Sequence, residues 1–539
     1  MHRVKFGKTA SVAAIALLNS CATLAPPFAP DLNARAPVLQ GYGQLHVPIT
    51  TKSSEAQALF DAGVLQAYAF NETAAVRAFK AALAKDPPCA MCAWGVAWQL
   101  GPNINDHDRD RVKEALDYVD YALKRLDGAT PRERALVESL ALRYAHVSKQ
   151  RETAPLVAEA CGKGGADEDK VNPLDDAYAT AMRKLADNYP RDPDVLSLYA
   201  EAEIIATPGD SAWSKDGKPA GRIGEVSDRL EKLLVEFPQH TGINHYMIHA
   251  LDAVAVARRA LPAADRLGRL APMSPHLVHM PAHIYINTAR FDDATRVNLE
   301  AVAADVTLAA NEKAQGFELS KDWRGHNQHF LWYAAMTSGR EQVALDAAAG
   351  MGAMAEKWDS NYGEYVRSLR VFTLMHFERW TQLLAEPQPA GDKGVAKAHW
   401  IFARGVAQAR LGRIDDAKAS LDLLAPLAKD VRERNAKRKR TVAMMDHATA
   451  RLEAEVALAR GDMDAAIAAQ SKAADAAAVL DDAEPPMMAD TARTMLGEVQ
   501  VKAKRWTDAQ ATYQHVLDSR PGHPSAQRGL VRVKQSRDS

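Results

Sequence analysis

The 539-residue chain lacks a dominant charge, because its 67 lysines and arginines almost balance 68 aspartates and glutamates, for a net charge of −1. Its one strongly basic run, residues 432–440, is typical of a solvated helix face, so no nucleic-acid partner is expected. Aromatic residues make up only 6% of the sequence, while alanine is abundant. This bias favours closely packed helices over sheets.

Long apolar runs are also missing, apart from one near the N-terminus that is too short to cross a bilayer. Residues 1–21 combine a basic start with this apolar stretch, which predicts a signal peptide and export to the periplasm. They end in LNSC, which resembles a bacterial lipobox, although Asn19 is unusual in that pattern. We therefore predict lipidation of Cys21 and a membrane anchor, with ordinary cleavage a few residues later as the alternative. Residues 22–52 are predicted to form a tether.

Cysteine is scarce, with four residues in the whole chain. Cys89 and Cys92 form a C-x-x-C that lacks the following histidine of a haem-attachment motif. In an oxidising compartment, a local disulfide between them is the first expectation. Packed free thiols and a thiolate metal or redox site are the alternatives.

What the chain does contain is a spacing of small, aromatic and proline residues that occurs near both ends. The small residues let the two helices of a hairpin touch, the aromatic residue fills the gap to the next hairpin, and proline ends the second helix. Near the N-terminus these positions are Gly63, Ala75, Phe79, Ala82 and Pro87. Near the C-terminus the corresponding positions are Gly497, Ala509, Tyr513 and Pro521.

With these offsets the chain resembles the tetratricopeptide-repeat superfamily over most of residues 55–535. Stretches between Ala67 and Tyr285 also resemble a group of exported bacterial tetratricopeptide proteins with a histidine-rich centre. The resemblance implies an all-α, TPR-like α-solenoid of antiparallel helix hairpins with a concave groove. We expect two arrays, residues 53–350 and 351–539, and a protein or small-molecule ligand in the groove.

Histidine is unevenly distributed, since eight of the 17 histidines lie within residues 240–329. His245 and His249 are four residues apart on a predicted helix, and Asp252 follows one turn later. This spacing lets two imidazoles reach one ion at the bond length of about 2 Å that transition metals require.

A second dense stretch, SPHLVHMPAHIY, places His276, His279 and His283 beside two prolines. If a helix begins at Ser274, all three histidines lie on one stripe and Pro281 kinks the helix. If the helix begins at Pro281 instead, His279 lies in the preceding loop and only His283 is helical. In both cases His279 and His283 are expected to approach each other.

The repeat register places three histidine pairs on the first helices of successive hairpins, all facing one groove. We therefore predict a transition-metal site, with copper or zinc favoured because the ligands are imidazoles. The predicted ligands are His245, His249, His279, His283, His326 and His329. The additional candidates are His240, His276 and Asp252, and the predicted partners of the imidazoles are Asn244, Asn298 and Asn327.

Two other interpretations of the histidines stay open: a polar groove that binds a ligand without metal, and a purely structural role. The sequence contains no H-E-x-x-H, and no G-x-S-x-G or phosphate-binding loop in a suitable setting. It therefore favours a binding or scaffold protein whose central groove holds a metal ion. The alternative is a metal-dependent enzyme, a copper oxidase-like protein or a hydrolase, with Asp252 or a metal-bound hydroxide as the base.

Overall fold

The computed structural model describes residues 28–105, 109–144, 172–207, 212–481, 483–488 and 492–537. Within these ranges the chain forms helices joined by turns and loops, and no β-strand. The predicted signal segment and its Cys21 lie outside the described residues. No helix in the described part is both long and apolar enough to span a membrane.

The helices follow one another in three stretches. The first contains α1 (Ser54–Tyr68), α2 (Glu72–Lys85), α3 (Ala90–Leu100), α4 (Val112–Leu123), α5 (Pro131–Arg143), α6 (Pro173–Asn188), α7 (Pro193–Ala206) and α8 (Ile223–Glu236). The second contains α9 (Thr241–Ala250), a 3-10 turn (Ala257–Ala260), α10 (Leu261–Leu270), α11 (Pro275–His279), α12 (Pro281–Asn287), α13 (Phe291–Ala314) and α14 (Arg324–Thr337). The third contains α15 (Glu341–Ala355), α16 (Asn361–Arg367), α17 (Leu369–His376), α18 (Trp380–Ala385), α19 (Val395–Arg410), α20 (Ile414–Arg434), α21 (Lys439–Ala459), α22 (Met463–Asp481), α23 (Ala492–Lys502), α24 (Trp506–Ser519) and α25 (Pro524–Arg537).

Each described helix packs against the next one along the chain, and several also contact the helix after that. Helices of a repeat array bury their apolar faces in this way, because one hairpin alone cannot enclose a core. The fold is therefore an all-α, TPR-like helical solenoid, as the sequence predicts.

A buried phenylalanine joins the first three helices. Phe79 of α2 is fully buried between Gly63 of α1 and Gly95 of α3. A Cβ atom added to Gly63 would lie 2.6 Å from the Phe79 ring, and one added to Gly95 would lie 2.5 Å from it. These glycines are therefore required for the close approach of the three helices.

The same arrangement occurs at the far end of the chain. Tyr513 of α24 lies between Gly497 of α23 and Gly529 of α25, where added Cβ atoms would be 2.6 Å and 2.3 Å from its ring. The repeat spacing predicted for both ends of the array is thus present as the same three-helix contact.

Two large hydrophobic cores follow one another along the chain. The first extends from Tyr42 to Ala334, and the second extends from Phe291 to Met488. Helices α13 and α14 contribute side chains to both cores. The packing is therefore continuous across the predicted boundary at residue 350.

The described part of the predicted tether, residues 28–52, lies against the helices. The Phe28 ring is 4.7 Å from that of Tyr118, and the backbone nitrogen of Met273 donates to the Gly41 oxygen at 3.0 Å. Gly41 has φ +79°, and a Cβ atom there would lie 2.3 Å from the Met273 side chain, so only glycine fits. The segment is part of the fold because it supports the loop before α11.

Cys89 and Cys92 are joined by a disulfide at the start of α3. Both residues are buried. Because only three positions separate them, the bridge stiffens the start of α3 without linking distant parts of the chain.

We expect Gly63→Ala to lower the free energy of unfolding by about 1–3 kcal/mol, because the new Cβ atom must displace the Phe79 ring. Gly352→Ala in α15 is the matched control, since nothing lies within 4 Å of its added Cβ atom. There the better helix propensity should add up to about 1 kcal/mol. Urea denaturation followed by circular dichroism measures both changes, and a Gly63 variant as stable as the wild type would contradict the proposed contact.

Candidate metal centre

In the described residues, six histidines converge as two groups of three. The first group is His245, His249 and His276, and the second group is His279, His283 and His326. Within each group, one ring nitrogen of every member lies within 4.8 Å of the corresponding nitrogens of the other two. The grouping therefore differs from the three predicted pairs, because a third histidine joins two of them. His276 completes the first group and His326 completes the second.

The first group forms where α9 meets α11. His245 and His249 are one turn apart on α9, and the His245 Nε2 atom is 3.0 Å from His249 Nε2 and 3.1 Å from His276 Nε2. A ring nitrogen is either a donor or an acceptor, so His245 cannot donate to one neighbour and accept from the other. Two nitrogens bound to one transition metal are about 2.9–3.4 Å apart, so the distances from His245 to His249 and to His276 are those expected of ligands that share one ion.

The second group has ring orientations that neighbouring side chains determine. His279 Nδ1 is 2.7 Å from Asn298 Oδ1, while the Asn298 amide nitrogen donates to the Ala294 oxygen at 2.7 Å. His283 Nδ1 is 2.7 Å from Asp252 Oδ2. Because both oxygens can only accept, each imidazole donates its Nδ1 proton to them, and the neutral ring has its lone pair on Nε2.

These lone pairs face each other, because His279 Nε2 and His283 Nε2 are 3.1 Å apart. Two such nitrogens repel unless a positive charge lies between them. A proton on His283, whose pKa the Asp252 carboxylate raises, would supply that charge, and so would a bound metal ion. His326 provides the third imidazole, with its ring centroid 4.7 Å from that of His279.

Each group packs against one phenylalanine. The Phe70 ring lies 4.6–5.3 Å from the three rings of the first group, and the Phe330 ring lies 4.5–4.9 Å from those of the second. Phe70 adopts φ +48°, a left-handed conformation that is costly for a residue other than glycine. This conformation belongs to the turn that ends α1, where the Phe70 and Asn71 nitrogens donate to the Ala67 and Gln66 oxygens, and it places the Phe70 ring against the three imidazoles. Trp323 stacks on His276 at 4.3 Å between ring centroids.

The SPHLVHMPAHIY stretch forms two consecutive short helices, so a helix begins at each of the two predicted positions. Ser274 caps α11 by accepting from the Leu277 nitrogen at 3.3 Å, and α12 begins at Pro281. His276 and His279 share α11 and belong to different groups, with ring centroids 6.4 Å apart. This stretch is therefore the wall between the two groups.

Two predicted histidines lie outside both groups. His329 Nε2 is 3.1 Å from the Tyr365 hydroxyl, and the Tyr362 hydroxyl is 3.2 Å from its Nδ1. His240 caps α9 by accepting from the Ile243 nitrogen at 3.2 Å. These two imidazoles therefore have other hydrogen-bond partners. Among the six grouped histidines, His276 takes the place that was predicted for His329.

Of the three predicted asparagine partners, only Asn298 contacts a grouped histidine. Asn244 donates to backbone oxygens at 2.9 Å and 3.0 Å, which strengthens the start of α9. Asn327 donates to Asp305 Oδ2 at 2.8 Å. Asp252, predicted as an additional ligand, accepts from His283 and, at 2.8 Å, from Asn287, and with His283 and Glu484 it forms a third group whose ligand atoms lie within 4.8 Å of one another.

Burial keeps five of the six imidazoles neutral, which is the form that binds metals. It lowers the pKa of His245 and His326 to about 3. It also lowers the pKa values of the other three well below the ordinary value, namely those of His249, His276 and His279. Burial opposes charge on His283 as well, but the charge of Asp252 and its hydrogen bond outweigh burial and raise the pKa of His283.

One acidic residue at the second group, Glu484, is not indicated by the sequence. The Glu484 carboxylate lies 3.8 Å from His283 Nδ1, on a segment whose Ala483 and Met487 side chains belong to the second core. Its surrounding AEPPMM stretch has no metal-ligand spacing that could have indicated this contact. The contact depends on how the two halves of the array meet.

The metal-free protein should lose stability as the pH falls below about 6.5, because a neutral buried imidazole gains its proton only on unfolding. For His245, with a folded pKa of about 3, the loss continues down to that value at about 1.4 kcal/mol per pH unit. His245→Gln should remove one proton from this dependence between about pH 4 and 6. Urea denaturation at a series of pH values, with a chelator present, measures the slopes, and identical slopes would contradict the assignment.

No protein-family model and no curated protein matches the chain. Similar solved structures include the human IFIT1 dimer, with 14% identity over 80% of this chain and 92% of that chain, and a TM-score of 0.31. Yeast Tom70 has 10% identity over 90% and 96%, with a TM-score of 0.30. Cut9-Hcn1 of the APC/C has 11% identity over 89% and 90%, with a TM-score of 0.25. TM-scores this low do not establish a shared fold, so the fold is assigned from the helix packing of this chain.

Proposed function

We propose that this chain is a helical repeat scaffold that holds two transition-metal ions, one in each group of three histidines. The observation that carries the proposal is the pair of facing lone pairs on His279 and His283, which are 3.1 Å apart. Asn298 and Asp252 hold these rings so that neither can turn its lone pair away. A buried arrangement of this kind favours binding of a cation.

The donor set points to copper or zinc, because both ions bind neutral imidazole readily. The contact of Asp252 with His283 supports this choice, since a carboxylate on the outer nitrogen orients a metal-binding imidazole and increases its basicity. Asn298 serves the same purpose for His279.

A metal-dependent enzyme is the second candidate function, and the number of ligands favours it. Each group offers three imidazoles, whereas a closed structural zinc site has four protein ligands. An ion held by three histidines keeps a coordination position for water or a substrate. The base of such an enzyme would be a metal-bound hydroxide, because Asp252 contacts His283 Nδ1 and lies on the opposite side of that ring from the Nε2 atom that faces the group.

Export, lipidation of Cys21 and a periplasmic location remain part of the proposal and rest on the sequence. The disulfide between Cys89 and Cys92 supports them, because such bridges persist in oxidising compartments. A protein partner is proposed for the surface of the array, since stacked hairpins present extended binding surfaces.

The purified protein should bind two copper or zinc ions per chain after loading and dialysis. His276→Gln and His279→Gln should each reduce this number to one, because each variant removes one imidazole from a different group. Elemental analysis measures the stoichiometry, and circular dichroism confirms that each variant is folded.

The matched control is His329→Gln, which changes a buried imidazole outside both groups and should retain two ions. A wild-type protein that binds neither copper nor zinc would overturn the proposal in favour of a hydrogen-bonded histidine cluster.

A further inference from the structure

His283 has one nitrogen on each side of a boundary between the second histidine group and an acidic surface. Its Nε2 atom faces His279 at 3.1 Å, inside the buried group. Its Nδ1 atom lies 2.7 Å from Asp252 Oδ2 and 3.8 Å from Glu484 Oε2. The three outer groups, Asp252, Glu484 and His283, have ligand atoms within 4.8 Å of one another.

Exposure decreases steadily along this row of side chains. Glu484 is 63% exposed, Asp252 is 14% exposed and His283 is 9% exposed. A divalent ion that leaves water for buried imidazoles loses its hydration shell, and each loss is costly unless a ligand replaces the water. Carboxylates at the exposed end and an imidazole at the buried end can replace the waters of the ion one after another.

The position of Glu484 is determined by the second core. Among residues 483–488 it is the one exposed side chain. The segment is held by the Tyr365 hydroxyl, which donates to the Met487 oxygen at 2.8 Å, and by the Met487 nitrogen, which donates to the Leu480 oxygen at 3.1 Å. These hydrogen bonds fix the backbone on which the Glu484 carboxylate lies 3.8 Å from His283 Nδ1.

We propose that Asp252, Glu484 and His283 Nδ1 form an outer cation site through which transition-metal ions reach the second histidine group. This inference rests on the proposed function, since it requires that the inner group binds metal. While the ion occupies the outer site it replaces the Nδ1 proton, which leaves to solvent. When the ion moves inward, Nδ1 regains a proton from solvent and the proton between His283 Nε2 and His279 Nε2 leaves, so a protonated His283 releases one proton for each ion bound. In the described residues no carboxylate belongs to the first group, so the second group should load faster.

A series of charges at position 484 tests the outer site. The metal-free full-length chain is mixed with Zn²⁺ in a stopped-flow instrument, and a fluorescent zinc indicator reports uptake. The phase that His279→Gln removes belongs to the second group. The rate of that phase should fall about five-fold or more in Glu484→Gln and further in Glu484→Lys, because each change weakens the attraction of a cation. Added salt should slow the wild type more than either variant.

The matched controls are Glu55→Gln and Glu55→Lys, because Glu55 is equally exposed at 63% and lies at the start of α1, where it pairs with Lys85. Both should load at the wild-type rate. If all position-484 variants load two ions at that rate, the outer site is wrong while the proposed function stands. If the wild-type protein takes up no zinc or copper, the proposed function itself fails.

Discussion

The centre of this protein depends on one contact, the approach of His279 Nε2 and His283 Nε2 to 3.1 Å. Asn298 and Asp252 accept the opposite ring protons, so neither imidazole can relieve the contact by changing tautomer. In a buried site such a pair requires a positive charge. The interruption of the helix at Pro281 and the position of α13 both serve to maintain this contact.

The repeat packing explains how six imidazoles can be held in this way. The first group uses α9 and α11, and the second uses α11, α12 and α14. These helices are held by interdigitated side chains, with Phe70 and Phe330 packed against the imidazoles. The histidines consequently lie between helices and not on an open groove. An ion bound there would be partly shielded from water, and the nearest carboxylates are those of Asp252 and Glu484 beside His283.

Much of the fold could be predicted because its signals are local. The spacing of Gly63 and Phe79 specifies a close helix contact that the structure contains. The four-residue separations of His245 and His249, and of His279 and His283, bring each pair together, because such residues share a helix face. The prediction for His329 differs from the structure because the rotation of α14 turns it toward Tyr365.

The amino-acid sequence by itself determined the helical repeats, the concentration of histidines and the partners one helical turn apart, since all of these follow from short-range periodicity. Only the tertiary structure decided that the histidines form two groups of three, that His276 belongs to the first, and that Glu484 reaches the second. Those outcomes depend on the rotation of each helix about its axis and on contacts between residues about 200 positions apart. The packing of the whole array determines both.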